Sequence, residues 1–422
     1  MLNIKFILEN DKLVKKAMKN RSFDLTIIDR VIELGKQRGS AMTAAQQMSA
    51  QLGILSKEFG INKNDKTAID KLKKEIKKVK DEQAVLLKKA DEINNEINNL
   101  LAYIPNLPLE DVPVGKDEIM NQVIRNHDKL GRGLITGIKP HYEVGKNLDL
   151  FDLERAVKMS GSRFVLYKDK GAKLVRALMN FMLDLHSSKG YIECLPPVIV
   201  KDKMLYGTGQ LPKFKEDLFT LEGGEMYLIP TAEVPLTNIY NDEIVDLTSP
   251  ILFTAFTECF RSEAGSSGRD TRGIIRNHQF KKVELVKITS EKDSIKEFEK
   301  MLEDAKDVLV KLEIPFREVL LCTGDLGFSS RKTIDLELWL PSEMKFREVS
   351  SVSYMGDFQA RRGMIRYRDE NNQTQYAHTM NGSGLAIDRI VAAILENYQN
   401  KDGSIAVPTV LVPYMNGLKV IN

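Results

Sequence analysis

The residues best suited to chemistry lie in one stretch, 260–284, reading FRSEAGSSGRDTRGIIRNHQFKKVE. Arg261 and Glu263 are two apart, so on a strand they share a face, and Phe280 and Glu284, four apart, share one by the same count. Between the pairs run Gly265, Ser266, Ser267, Gly268, Arg269 and Asp270, residue types that turn a chain between two strands. The predicted hairpin offers a cation, two carboxylates and an aromatic plate to one pocket. That combination suits a nucleoside triphosphate with a small polar acid beside it. An isolated Arg-x-Glu is ordinary surface charge; the length of the pattern, which adds Arg276 before Phe280, carries the argument.

Three further segments bear groups of the same kind. NGSGLAIDRIVAAILENYQ places Gly382 and Gly384 ahead of Asp388, Arg389 and an amphipathic helix. KTIDLELWLPSEMKFREVSSVS alternates Ile334, Leu336, Leu338 and Leu340 with Asp335 and Glu337, the pattern of a half-buried strand. MYLIPTAEVPLTNIY puts Thr231 at a helix N-cap with Pro235 tolerated in the first turn. No GxxxxGK[ST] loop is present, so any phosphates must be held by side chains.

Taken together, these segments resemble the motifs of class II aminoacyl-tRNA synthetases, and the seryl type most closely. The helix–strand–proline unit at about 171–200 resembles the first motif, which forms the dimer interface in that family. Residues from about 255 to 287 resemble the second, and those from about 376 to 398 the third. GTGQLPKF (207–214) and LENYQ also match, so the likeness covers nearly the whole chain. Val352 stands where relatives commonly have Cys.

The resemblance implies activation of L-serine by ATP, with transfer to the 3′ end of tRNA(Ser). Whether tRNA(Sec) is served as well is left open. Such a reaction brings an attacking carboxylate to a triphosphate, and the charge spread over the α-phosphate calls for cations and Mg²⁺ rather than a covalent nucleophile. By the resemblance, Arg261 lies between carboxylate and α-phosphate, Arg276 and Arg389 hold the outer phosphates, and Phe280 stacks under adenine. Arg261, Ser262, Glu263, Arg276, Phe280, Arg389 and the run Glu348, Val349, Ser350, Ser351 are thus the expected ATP site, with Arg261 and Arg389 catalytic. Glu348 and Ser351 are the expected Mg²⁺ ligands, oxygen donors suited to a hard cation. They are three apart, so either the strand is kinked there or one contact runs through the backbone. Thr231, Ala232, Glu233, Arg261, Glu284 and Ser383 are the expected serine site, with Glu233 near the ammonium. A pocket that hydrogen-bonds a hydroxyl rejects analogues without one, because its own polar groups are left unpaired.

Positioning these groups requires a mixed α+β body, and ahead of it the sequence is of another kind. Ile27, Val31, Leu34, Arg38, Ala41, Ala45, Met48, Leu52, Leu55 and Phe59 step by four and three. So do Ile69, Leu72, Ile76, Val79, Gln83, Leu86, Ala90, Ile93, Ile97 and Leu100. Each is a heptad seam with one polar member, and the turn-forming residues 60–68 between them predict an antiparallel coiled coil over about 27–100. Its apolar stripe is too narrow for the inside of a globule, which implies an arm standing in solvent. Residues 63–80 carry eight lysines, and Lys71, Lys74 and Lys78 are the expected tRNA contacts. In the family this arm grips the long variable arm of the tRNA. The expected domains are 1–103 for tRNA binding and 104–422 for a class II catalytic domain on an antiparallel sheet. The 33 residues after Arg389 are too few for the anticodon-binding domain that threonyl-, prolyl- and histidyl-type enzymes carry there.

Composition sets outer bounds. With 62 basic and 59 acidic side chains the net charge is +3, so a polyanion surface has to be local. Cys194, Cys259 and Cys322 form no CxxC pair, which argues against structural zinc and a disulfide framework and fits a reducing cytoplasm. The opening MLNIKFILEN interrupts its apolar stretch with Lys5 and Glu9, and no run reaches the length of a membrane span. A homodimer without membrane partners is expected. Two rivals are weighed: a ligase that loads a carrier protein, which would lack the long arm, and a non-catalytic RNA-binding paralogue, which would lose Arg261, Glu284 or Arg389.

Overall fold

The computed structural model describes every residue except Lys63, Ser266, Ser267, Arg269 and Thr271. The chain divides into two compact units, one of Leu2–Pro105, the other of Asn106–Asn422 with Met1.

The first unit is helical: α1 (Ile4–Glu9), α2 (Asp11–Asn20), α3 (Leu25–Ile61) and α4 (Lys66–Leu101). Side chains start the two long helices. Asp24 accepts from the Thr26 N–H, and Asp65 from those of Thr67 and Ala68, satisfying donors that a helix start leaves over. At 37 and 36 residues each helix is about 55 Å long. All twenty seam positions are buried or half-buried. The polar member Gln83 reaches across, its Nε2 3.2 Å from Ala45 O and 2.5 Å from Ser49 Oγ, so the seam takes up an amide without leaving it unpaired. Among the described residues no helix is long and apolar enough to cross a membrane.

In the second unit, eight strands of the described residues form one sheet. They are β1 (Gln122–His127), β2 (Ile192–Glu193), β3 (Ile251–Phe260), β4 (Gln279–Thr289), β5 (Phe316–Leu320), β6 (Lys332–Leu340), β7 (Lys345–Gly356) and β8 (His378–Ala386). Their order is β1-β5-β6-β7-β8-β4-β3-β2. Every neighbouring pair is antiparallel except β2–β3.

Alternation along β4 divides the sheet's two faces. Val283 and Leu285 enter a large apolar core with α6 (Asp169–Ser187), α8 (Glu291–Lys311) and α10 (Ile387–Asn397). Lys282 and Glu284 turn the other way, and beyond them Val286 and Ile288 pack with Ala232, Leu236 and Ala360. Those residues come from α7 (Glu233–Thr237) and α9 (Phe358–Gly363) and the chain just before them. Charged groups are thus set in a sheet face whose continuation is sealed by apolar packing.

The helix after Asp388 keeps its amphipathic pattern but has no solvent face: from Ile387 to Asn397 only Arg389 is not buried, because α10 packs inside the core rather than along its rim. Two local expectations need correction. The segment 191–200 is not one strand. Ile192–Glu193 pairs with β3, whereas Ile199–Lys201 pairs with Met226–Leu228. Pro196 and Pro197, unable to donate to a ladder, pass the chain from one sheet to the other. Thr231 is not the flanking residue of α7, which is Ala232.

Candidate active site

β3 and β4 pair without a break from Ile251↔Ile288 to Phe260↔Gln279, and Arg261 N donates to His278 O at 2.9 Å to close the ladder. Arg261 and Glu263 lie beyond the strand, so the pleat is not what aligns them. Glu263 adopts φ +53°, a left-handed turn that directs its carboxylate to Arg276 Nη1 at 2.6 Å. The Arg261 guanidinium lies over Phe280, 5.1 Å from the ring centroid, a favourable cation–π approach. Ser262 is turned outward, its Oγ donating to Glu216 O at 2.5 Å. Of the predicted loop, Ser266, Ser267 and Arg269 fall outside the described residues.

Glu284 is fully buried and fully engaged. Its Oε2 receives Thr231 Oγ1 at 2.9 Å and Lys282 Nζ at 2.5 Å, and its Oε1 receives Asn381 Nδ2 at 3.0 Å. Lys282 Nζ also donates to Thr231 Oγ1 at 2.9 Å. Although outside α7 proper, the Thr231 hydroxyl accepts from Glu233 N at 3.2 Å and so still orders the helix start. Glu233 faces the same region. Burial, then the negative charge of Glu284, pushes its carboxyl up to about 7. Gln359 Nε2 donates to Glu233 Oε1 at 2.7 Å, while Gln359 Oε1 accepts from Thr379 Oγ1 at 2.7 Å. That second bond settles which end of the Gln359 amide meets the carboxylate.

Ser383 pairs with Glu284 across β8 and β4, and its carbonyl accepts from Ser350 Oγ at 2.7 Å. Arg389 donates from Nε to Ile275 O at 3.3 Å and approaches Glu348 Oε1 to 3.5 Å with Nη1. The spacing of Glu348 and Ser351 finds its explanation in β7. Opposite β6 the register runs Asp335↔Ser351 and Leu336↔Ser350, then shifts so that Glu337 faces Glu348. Val349 is therefore the extra residue of a bulge. Asp335 and Glu337 share a face, so Ser351 and Glu348 now share it too. Asp335, buried beside Glu348, has its carboxyl raised by burial first and by that charge second.

The expected residues line two adjoining cavities. One, of about 60 Å³, has Arg261, Glu263, Arg276, Phe280, Glu348, Val349, Ser383 and Arg389 in its wall. The other, of about 470 Å³, has Thr231 and Glu233, with Gln210 and Phe214 from GTGQLPKF. Arg261, Glu263 and Arg276 belong to both. Ala232, Ser262, Glu284, Ser350 and Ser351 line neither; Ala232, Glu284 and Ser350 are buried beneath.

Sequence reasoning missed Lys282, Asn381 and Gln359. Lys282 was accessible from spacing, being two residues from Glu284 on the same strand. Gln359 was not, because it reaches the site from a short helix without a distinctive pattern. Asp388 is also more than a motif marker, since it accepts from Tyr167 OH and from Lys281 N, both at 2.7 Å, joining α10 to β4.

On the helical unit, Lys71, Lys74 and Lys78 are exposed, and Lys78 lies 4.0 Å from Glu82. A groove of about 500 Å³ opens instead on the flank formed by Lys73, Lys77 and Lys80, with Phe59 and Ile76 beside them.

Comparison with known proteins bears on both units. Residues 1–108 match the family model described as the seryl-tRNA synthetase N-terminal domain, and residues 216–398 that of the tRNA synthetase class II core domain (G, H, P, S and T). A serine–tRNA ligase of Mycoplasmopsis agalactiae is 60% identical over 420 residues, covering 100% of both chains. One of Thermodesulfovibrio yellowstonii is 48% identical, again over 100% of each. The seryl-tRNA synthetase of Pyrococcus horikoshii, solved in complex with ATP, superposes with a TM-score of 0.94 at 35% identity, covering 100% of this chain and 99% of that one.

Proposed function

The chain belongs to the seryl-tRNA synthetase family, and we propose that it activates L-serine with ATP and then esterifies the 3′ end of tRNA(Ser). The observation that carries this reading is the wall of Arg261, Glu263 and Arg276 shared by the two cavities. One cavity offers what an amino acid needs, a buried carboxylate for its ammonium and a hydroxyl network. The other offers what a nucleotide needs, an aromatic plate and three arginines. A serine carboxylate and an ATP α-phosphate placed on either side meet at Arg261.

In the first step a serine carboxylate oxygen bonds to the α-phosphorus, the bond to the β-phosphate bridging oxygen breaks, and pyrophosphate leaves with that electron pair. Arg261 offsets the charge gathered between the two anions, and Arg276 and Arg389 hold the outer phosphates. Phe280 supports the adenine. In the second step a ribose hydroxyl of the tRNA attacks the seryl carbonyl and AMP departs. Glu233 receives the ammonium, and the Thr231 hydroxyl, ordered from beneath by Glu284 with Lys282 and Asn381, meets the serine hydroxyl with Ser383 alongside. A substrate without that hydroxyl forgoes its bond to this network.

Glu348 and Ser351 suit Mg²⁺: the bulge at Val349 sets a carboxylate and a hydroxyl on one face, both hard oxygen donors. The ion would shield charge on the phosphates.

The coiled coil is the tRNA-binding arm in this reading, supported by its lysine-rich flank on a chain of almost zero net charge. The working form is a cytoplasmic homodimer. Support comes from Leu195, 85% exposed beside Pro196 and Pro197, with Ile192 at 57% on an edge strand, an apolar edge suited to a second copy.

The test is charging: the protein is incubated with ATP, each amino acid and unfractionated tRNA. Seryl ester on tRNA(Ser) alone is expected. Transfer to a protein carrier, or no ester, contradicts the reading.

A further inference from the structure

We propose that His141 is a positioning residue for the nucleotide site, holding the limb 273–277, which leads into β4, through a single hydrogen-bond acceptor. His141 opens α5 (His141–Asn147) and is 2% exposed. Its Nδ1 lies 2.8 Å from Glu396 Oε1, and its backbone N donates to the same oxygen at 2.9 Å. The fully buried Glu396 also receives Ser342 N and Ser342 Oγ, each at 2.9 Å. A carboxylate in that setting only accepts, so the ring proton sits on Nδ1 and Nε2 is left as an acceptor. Its donor is Ile274 N, 3.3 Å away.

The limb is built to receive the ring. Gly273, at φ +78°, has its backbone so close that a Cβ there would stand 2.1 Å from His141 Nε2. Ile274 O accepts from Asn277 Nδ2 at 3.1 Å, and Ile275 O from Arg389 Nε at 3.3 Å. Arg276 follows directly. Arg389 and Glu396 are seven apart on α10, two turns along one face. One helix therefore grips the limb twice, directly through Arg389 and indirectly through Glu396 and His141. Removing the acceptor strands a buried N–H next to the backbone that orients both Arg276 and Arg389.

The inference rests on the assignment of those arginines to the triphosphate, and the test separates the two. An asparagine at 141 can place its amide N–H near the Nδ1 position and keep Glu396, but cannot reach Ile274. A glutamine can place its amide oxygen near the Nε2 position and keep Ile274. In serine-dependent pyrophosphate exchange by the full-length protein, His141→Asn is expected to raise the KM for ATP about ten-fold while leaving the KM for serine within about two-fold. His141→Gln should recover most of that loss. Amide hydrogen exchange at Ile274 should quicken in the first variant and not in the second. Equal defects in both, a worse defect in His141→Gln, or parallel changes in the two KM values would overturn the proposal and mark a merely structural role. If His141→Asn does not fold, Glu396→Gln, whose amide can turn the ring's tautomer over, is expected to raise the KM for ATP more mildly; no rise there overturns the proposal as well. Arg276→Ala, run alongside, reports on the arginine assignment itself: an unchanged KM for ATP in that variant sinks the assignment, whatever His141 does.

Discussion

Lys282 and Glu284, two residues apart on β4, share a face with Nζ 2.5 Å from Oε2, Lys282 in the wall of the smaller cavity and Glu284 buried beneath it. The Glu284 carboxylate is sealed from water and so depends on Lys282. Lys282→Met should leave an uncompensated carboxylate and cost about 3–5 kcal/mol of stability. Denaturant unfolding measures the loss, and serine activation should fall with it. A variant as stable as the parent would show that Glu284 is compensated by other means.

Glu233 should make serine binding depend on pH. Its carboxyl, raised to about 7 by burial and then by Glu284, keeps a proton that the unfolded chain has already released. The stability this contributes is full below the ordinary carboxylate range and is lost as pH rises through about 7. A serine ammonium favours the ionised form, so binding expels the proton. About half a proton should be released at pH 7, and affinity should rise from about pH 6 to a plateau above about pH 8. Calorimetry in two buffers of different ionisation enthalpy reads the release, and Glu233→Gln should abolish it. Serine binding without proton release contradicts the assignment.

Arg261→Ala and Arg389→Ala should each reduce adenylate formation by about 100-fold or more. The first removes charge at the α-phosphate, the second a hold on the outer phosphates. Neither side chain belongs to the apolar core, so melting temperatures should change little. A well-folded variant with normal exchange would remove that residue from the chemistry.

Periodicity carried the two long helices α3 and α4 almost residue by residue, because a heptad seam is a local property of the chain; α1 and α2 carry no such seam. The β3–β4 hairpin and the shared face of Phe280 and Glu284 followed in a similar way from fixed spacing on strands. The motif residues' roles, by contrast, came from the resemblance, and the choice between a kink and a backbone contact at Glu348 and Ser351 stayed open. Two kinds of feature were not legible. Glu263 reaches Arg276 through a left-handed residue, and Val349 inserts itself into β7, so departures from regular geometry escaped a reading that assumed it. Gln359, Asn381 and His141 act from segments distant in sequence and are ordinary polar residues until the fold brings them to the site. The burial of α10 on nearly all sides is likewise a tertiary fact.

The arm and the body should separate functionally. Replacing residues 38–90 with a short Gly/Ser linker should leave serine-dependent exchange near normal while charging of tRNA(Ser) falls by orders of magnitude. Within the arm, neutralising Lys73, Lys77 and Lys80 should cost more than neutralising Lys71, Lys74 and Lys78, since the first set borders the groove beside Phe59 and Lys78 lies near Glu82. Each lost phosphate contact should also flatten the dependence of tRNA affinity on salt. Unimpaired charging without the arm would assign the coiled coil another purpose.

ATP–pyrophosphate exchange with each of the twenty amino acids in turn tests the central claim most directly, because it reads the two adjoining cavities at once and needs no tRNA. Serine alone should support fast exchange. Alanine fails to engage the Glu284 network and threonine brings an extra methyl to the same wall. Exchange with threonine or proline equal to that with serine, or no exchange with serine, would contradict the account.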